Sequence, residues 1–89
     1  MEYVELEKRL AALGESVSDR LNDDQCRWFT EFLAGGEYSV ALEMVADWLS
    51  EDQHPITAPE RTEAEALAQA MGNHDRVMGP LSRCPNRTP

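Results

Sequence analysis

Residues 22–51 read NDDQCRWFTEFLAGGEYSVALEMVADWLSE. This stretch decides the fold. Asn22 is a good helix N-cap, Gln25 stands where a capping-box partner belongs, and Asp23 and Asp24 suit the positive end of a helix dipole. Cys26, Phe29, Phe32 and Leu33 then recur at helical spacing. Gly35-Gly36 stops the helix, because glycine tolerates the left-handed conformation that follows many helix ends. From about Glu37 to Glu51 a second helix places Tyr38, Ala41, Leu42, Val45, Trp48 and Leu49 on one side. The connection is short, so the two helices are expected to pack as an antiparallel hairpin.

Working outward, Tyr3, Leu6, Leu10, Leu13 and Val17 share one face of a helix that starts near Glu2. Gly14 either ends it near Leu13 or lies within it, since an interior glycine costs only about 1 kcal/mol. Downstream, His54-Pro55 breaks the pattern. Thr57-Ala58-Pro59-Glu60 opens a further helix: Thr57 is the cap, proline sits in the first turn, and Glu60 closes a capping box. Ala64, Leu67, Ala68 and Met71 form its inner face, and Gly72 ends it. No strand pattern, repeat or low-complexity block is present. The expected fold is all-α: a bundle of three to four helices over residues 1–72 around a central hairpin. Residues 73–89 hold three of the five prolines and read as a flexible tail, although the spacing of Val77, Met78 and Leu81 would allow docking.

The chain has 89 residues, 17 acidic against 8 basic, and a formal net charge of −9. Residues 1–72 carry 16 of the acids and 5 of the bases. So acidic a domain argues against direct contact with nucleic acid or an anionic membrane, whose phosphates need Lys and Arg. It suits a basic partner; the plainer reading is that it keeps a small domain soluble. Two cysteines make no disulfide framework, no apolar leader precedes the first helix, and no apolar run reaches a membrane span. A cytoplasmic location is expected.

Catalytic constellations are lacking. Cys26, Cys84, His54 and His74 are the soft ligands, and none has C-x-x-C or H-x-x-x-H spacing, so no metal or other cofactor is expected. Cys26 reads as a small core hydrophobe and His54 as a loop residue. Ser39 and Ser50 lack a nucleophile context, and Gly35-Gly36 lacks the residues of a phosphate loop. A domain of this size buries only about 60–65% of the surface its unfolded chain exposes, which favours a docking surface over a deep pocket.

The candidate docking surface is the outer face of the helix at 37–51. Glu43 and Asp47 lie together opposite its apolar side, and Glu51 and Asp52 follow at its end. Like charges at i,i+4, and acids at a helix C-terminus, each work against the helix, as a surface built for a basic partner would. A solvated acidic face is the plainer alternative. Trp28 lies off the centre of its helix's apolar face and Trp48 at the edge of its own. Tryptophan is enriched at interface hot spots, but it also serves simply to cover a small core.

The segment Phe32-Leu33-Ala34-Gly35-Gly36-Glu37-Tyr38-Ser39-Val40-Ala41-Leu42-Glu43 resembles the G-E-Y-x-x-A-L-E core of the MafI-family immunity proteins. The likeness continues through Ala46-Asp47-Trp48-Leu49-Ser50-Glu51, Pro55-Ile56-Thr57, Glu60, Leu67-Ala68 and Met71-Gly72. It covers about residues 6–72 and leaves the tail without a counterpart. The resemblance implies a small cytoplasmic protein that binds and blocks a cognate secreted toxin domain, often a nuclease. Such a partner would be basic, and Glu43, Asp47, Trp48, Glu51, Asp52 and Trp28 are the residues expected to meet it. The alternative is a helical adaptor or regulatory module without a toxin partner.

Overall fold

The computed structural model describes residues 1–88. Among these, five α-helices follow one another: α1 Tyr3–Val17, α2 Asp23–Ala34, α3 Tyr38–Glu51, α4 Ala58–Met71 and α5 His74–Leu81, with a single 3-10 turn at Ser18–Arg20 after α1. The class is all-helical; the number of helices is one more than the most the pattern suggested.

The hairpin forms as its residues require. Asn22 accepts from the Gln25 amide at 2.7 Å, and the Gln25 side chain accepts from the Asn22 amide at 3.0 Å. At the far end of α2 the Glu37 amide donates back to Phe32 (2.8 Å) and the Gly36 amide to Leu33 (3.1 Å). This double bond pattern is the Schellman ending. It requires a left-handed residue, and that residue is Gly36, at φ 73, while Gly35 stays at φ −86. Gly36→Val is therefore expected to destabilise by more than about 1 kcal/mol, with a smaller loss for Gly35→Val. Urea denaturation of the two variants checks this; equal losses would mean that the turn carries no left-handed strain.

Gly14 does not end α1. The helix runs through it, and Leu6, Leu10, Leu13 and Val17 all go inside. Tyr3 does not join them and stays 78% exposed. The glycine is there for closeness: a Cβ built on it would stand 2.3 Å from Cε2 of Phe29. Its absence lets α1 settle against the Phe29 ring of α2.

The second capping box is also present. The Thr57 hydroxyl accepts from the Glu60 amide at 3.1 Å, and Glu60 accepts from the Thr57 amide at 2.9 Å. Glu60 has a second role. Its carboxylate is buried, 6% exposed, and takes a two-pronged bond from Arg20, 2.7 Å on each side. The Ser16 hydroxyl donates to it as well. The remaining Arg20 donors reach the Ser16 and Pro55 carbonyls, both at 2.8 Å, and Asp19 at 3.0 Å. Burial alone would raise the Glu60 carboxyl. The Arg20 guanidinium, with Ser16 and the Thr57 amide, overrides it and holds the pKa down at about 2. One ion pair thus ties the end of α1, the loop before α4 and the first turn of α4 together.

The segment expected to be a flexible tail is built into the core. Pro89 lies outside the described residues, but residues 74–81 form α5, which packs against α3 and α4. Val77, Leu81 and Cys84 are buried at 0%, 3% and 4% exposure. Leu81 reaches the innermost packing, alongside Leu13, Leu42, Leu49, Ile56 and Ala64. The chain then runs beside residue 56: the Ile56 amide donates to Pro85 at 2.9 Å and the Arg87 amide to Ile56 at 2.8 Å. Arg61 fastens this strap by donating to the Leu81 and Cys84 carbonyls, at 2.8 and 2.9 Å. The proline content misleads because Pro80 lies inside α5, one residue before its end, where it forgoes a single helix bond. Cys26 departs from expectation in the opposite sense. It is only half-buried, with Sγ 3.9 Å from the Ser18 carbonyl, and lies outside the main core.

Candidate protein-docking face

The two tryptophans meet. The Trp28 and Trp48 ring centroids are 6.1 Å apart with the planes tilted by 37°, within the usual range for a favourable aromatic pair. Trp48 is buried at 7% exposure, whereas Trp28, lying on it, is 43% exposed. The hairpin makes the pair: antiparallel packing of α2 on α3 brings the second turn of one beside the last turns of the other.

The pair is one end of a longer apolar line. Val40, Met44 and Trp48 follow at steps of four, so they stack along one side of α3. Val40 is 40% exposed and Met44 partly buried against the core. Phe32, four residues after Trp28, borders the line from α2 and is also partly buried. The result is a shallow apolar strip along the α2–α3 seam, with Trp28 standing proud of it.

Acids gather at the tryptophan end. The antiparallel hairpin places the start of α2, with Asp23 and Asp24, at the same end as Glu51 and Asp52. All four are exposed. Asp24 pairs with Arg27 at 2.7 Å and Asp52 approaches only His54, at 3.8 Å. Asp23, Glu31 and Glu51 have no ion-pair partner among the described residues. Asp23 and Asp24 favour the start of α2, but Glu51 and Asp52 face the negative end of α3, which works against the helix.

Glu43 and Asp47 do not belong to this open surface, and the expectation that they form a free acidic face is corrected here. The Arg76 guanidinium of α5 bonds both Asp47 oxygens, at 2.9 and 2.8 Å, and stands 3.9 Å from Glu43. The Asn73 amide donates to Glu43 at 3.0 Å. Both acids serve to seat α5 on α3. The pairing was hidden because it depends on α5, which brings Arg76 across 29 residues. Of the six residues expected at the site, the structure therefore joins Trp28, Trp48, Glu51 and Asp52 into one face and turns Glu43 and Asp47 toward α5. Sequence reasoning missed Met44 and Val40. Their i,i+4 spacing with Trp48 was the signal that would have found them.

Among the described residues no group of three or more His, Cys, Asp or Glu side chains is placed to share a metal ion, and no helix is long and apolar enough to cross a membrane. No protein-family profile matches the chain, nor does any curated protein or solved structure.

Proposed function

We propose that this chain is an immunity-type inhibitor: a protein that docks its α2–α3 face on a basic, secreted toxin domain and blocks it. One observation carries the reading. A large aromatic side chain, Trp28, stands 43% exposed on an apolar strip, with the exposed acids Asp23, Asp24, Glu51 and Asp52 gathered at the same end of the hairpin. An apolar anchor with a charged rim is the anatomy of a protein interface: the anchor supplies residence time, and the rim speeds encounter with a partner of opposite charge. Acids at the rim would compete for the cationic side chains with which a nuclease holds phosphates. The G-E-Y-x-x-A-L-E likeness to MafI-family immunity proteins supports the same reading, and a cytoplasmic site of action goes with it.

The test is co-expression with a candidate toxin domain, chosen as the basic C-terminal part of a large secreted protein encoded by a neighbouring gene. The wild-type chain is expected to restore growth. Trp28→Ala is expected to weaken binding by at least tenfold, as hot-spot truncations of 2 kcal/mol or more do. Glu51→Lys with Asp52→Lys should slow association mainly at low salt. Circular dichroism must show all variants folded. Full protection by Trp28→Ala would move the interface elsewhere. Failure of the wild type to protect against any neighbouring domain would favour an adaptor with no toxin partner.

A further inference from the structure

The seam between α2 and α3 has a shape that selects what can lie in it. Val40, Met44 and Trp48 make one ridge along α3 at steps of four, and Trp28 and Phe32 make another on α2 at the same step. From Val40 to Trp48 the seam runs about 12 Å, a little over two helical turns. Both walls are α-helices. Their backbone bonds run inside each helix, so the seam offers no row of free amides and carbonyls such as a sheet edge presents. An extended segment would gain no main-chain bonds there. A helix brings its own backbone bonds already made and gives up none on docking. Its side chains, at steps of three and four, can interdigitate with the two ridges.

The charges at the tryptophan end decide which helix. Glu51 follows Trp48 by three residues and Glu31 follows Trp28 by three, a spacing that sets each acid beside its tryptophan. The bases bordering this end are already engaged: Arg27 with Asp24 at 2.7 Å, and Arg76, from α5, with Asp47 at 2.8 Å. Arg83, exposed beyond α5, forms no ion pair with these acids among the described residues. Asp23, Glu31 and Glu51 are left without a basic partner, and Asp52 has only His54, at 3.8 Å. A second copy of this chain would set one net charge of −9 against another.

We propose that the α2–α3 seam receives an amphipathic helix of a protein partner, about two to three turns long, with apolar residues on the seam and Lys or Arg at the end beside Trp28 and Glu51. The proposal rests on the reading of this face as the docking face, and it names the element that the partner must present.

The experiment titrates the full-length chain with a synthetic leucine–lysine peptide of about four helical turns, its leucines patterned on one face. The controls are the same composition in scrambled order and the same sequence with a central proline, which breaks the helix. Tryptophan emission should move to shorter wavelength as Trp28 is covered. The patterned peptide should bind about tenfold or more tighter than either control. Val40→Glu separates packing from charge. At a position 40% exposed, it adds an attracting carboxylate and removes an apolar seat. Weaker binding of the patterned peptide is expected; tighter binding would overturn the site in favour of diffuse charge attraction. A proline peptide that binds as well as the patterned one would overturn it in favour of an extended segment. Trp28-dependent self-association in sedimentation would overturn it in favour of a second copy. No toxin domain enters these measurements. Loss of the peptide preference beside intact protection in co-expression strikes the helix alone, whereas an intact preference beside failed protection strikes the toxin alone.

Discussion

Deleting the chain from Asn73 onward should abolish cooperative unfolding. The deletion removes three side chains that are almost wholly inside, Val77, Leu81 and Cys84, and uncovers the sides of α3 and α4 on which α5 lies. Burying a large aliphatic side chain contributes roughly 1.5–3 kcal/mol. For Val77 and Leu81 alone the direct loss is then roughly 3–6 kcal/mol, before counting Cys84 and the apolar surface newly exposed on α3 and α4. A domain of this length has a total stability of about 4–13 kcal/mol, so little is left. Leu81→Ala gives the graded version and is expected to cost about 2–5 kcal/mol with cooperativity intact. Both are read by thermal and urea unfolding. A truncated chain that melts as sharply as the whole, within a few degrees, would mean that α5 is only laid on a core already complete.

The second large effect is expected at Arg20. Its side chain and that of Glu60 are 7% and 6% exposed, so Arg20→Ala leaves a buried carboxylate with only Ser16 and the Thr57 amide to meet it. Breaking one half of a buried pair costs about 3–5 kcal/mol. Replacing both halves should cost less: in Arg20→Met with Glu60→Gln no charge is stranded, and glutamine can still close the capping box on Thr57. The double variant is therefore expected to be more stable than Arg20→Ala alone. The acid side of the pH profile carries the same signature. Glu60 titrates at about 2, below the 4.5 of an unperturbed glutamate. A carboxylate lowered in this way stabilises the fold fully above pH 4.5, and its contribution of roughly 3 kcal/mol disappears as the pH falls toward 2. Without Arg20, burial pushes that carboxyl upward instead. The stability gap between wild type and Arg20→Ala should then narrow from pH 7 to pH 3. A gap of constant size would show that Arg20 acts through packing rather than through charge. His74 has the opposite sign. Glu65, at 3.0 Å, and Asp75, at 3.1 Å, raise its pKa above 6.5, so its small contribution is complete below that pH and is lost as the pH rises through the raised value.

What could be read in the residues beforehand follows the range over which each signal acts. The hairpin, both capping boxes and the glycine endings at Gly36 and Gly72 are written within four or five residues of one another, and the structure shows each where its residues required it. The Arg20–Glu60 pair was not legible in this way. Glu60 already had a local role as a helix cap, and nothing near Arg20 announced a partner 40 positions away. Gly14 is similar: it looked like a weak point in a helix, and only Phe29 arriving from α2 shows why no side chain fits there. The last helix is a different case, since its signal existed. Val77 and Leu81 are spaced at i and i+4, the spacing of a buried helical face, but Gly79 and Pro80 between them obscured it. That omission carried into the functional site, because Arg76 arrives with α5 and closes over Glu43 and Asp47. The aromatic half of the site was legible, since Trp28 and Trp48 stood out by type, whereas their stacking depends on how the hairpin packs.

The strap that runs beside Ile56 also affects the order in which the molecule can be made. A ribosome delivers α1 to α4 first, and these helices emerge with Leu42, Leu49 and Ala64 lacking the cover that Leu81 provides. At about 5–20 residues per second, the stretch from Gly72 to Cys84 takes about one to three seconds more. A chain that lacks this stretch has a hairpin and a capped helix around an unfinished interior, with apolar surface open to other chains. Its native state becomes available only once Cys84 is in place. A chain stalled between Gly72 and Cys84 is therefore expected to aggregate more readily than one carried past Cys84.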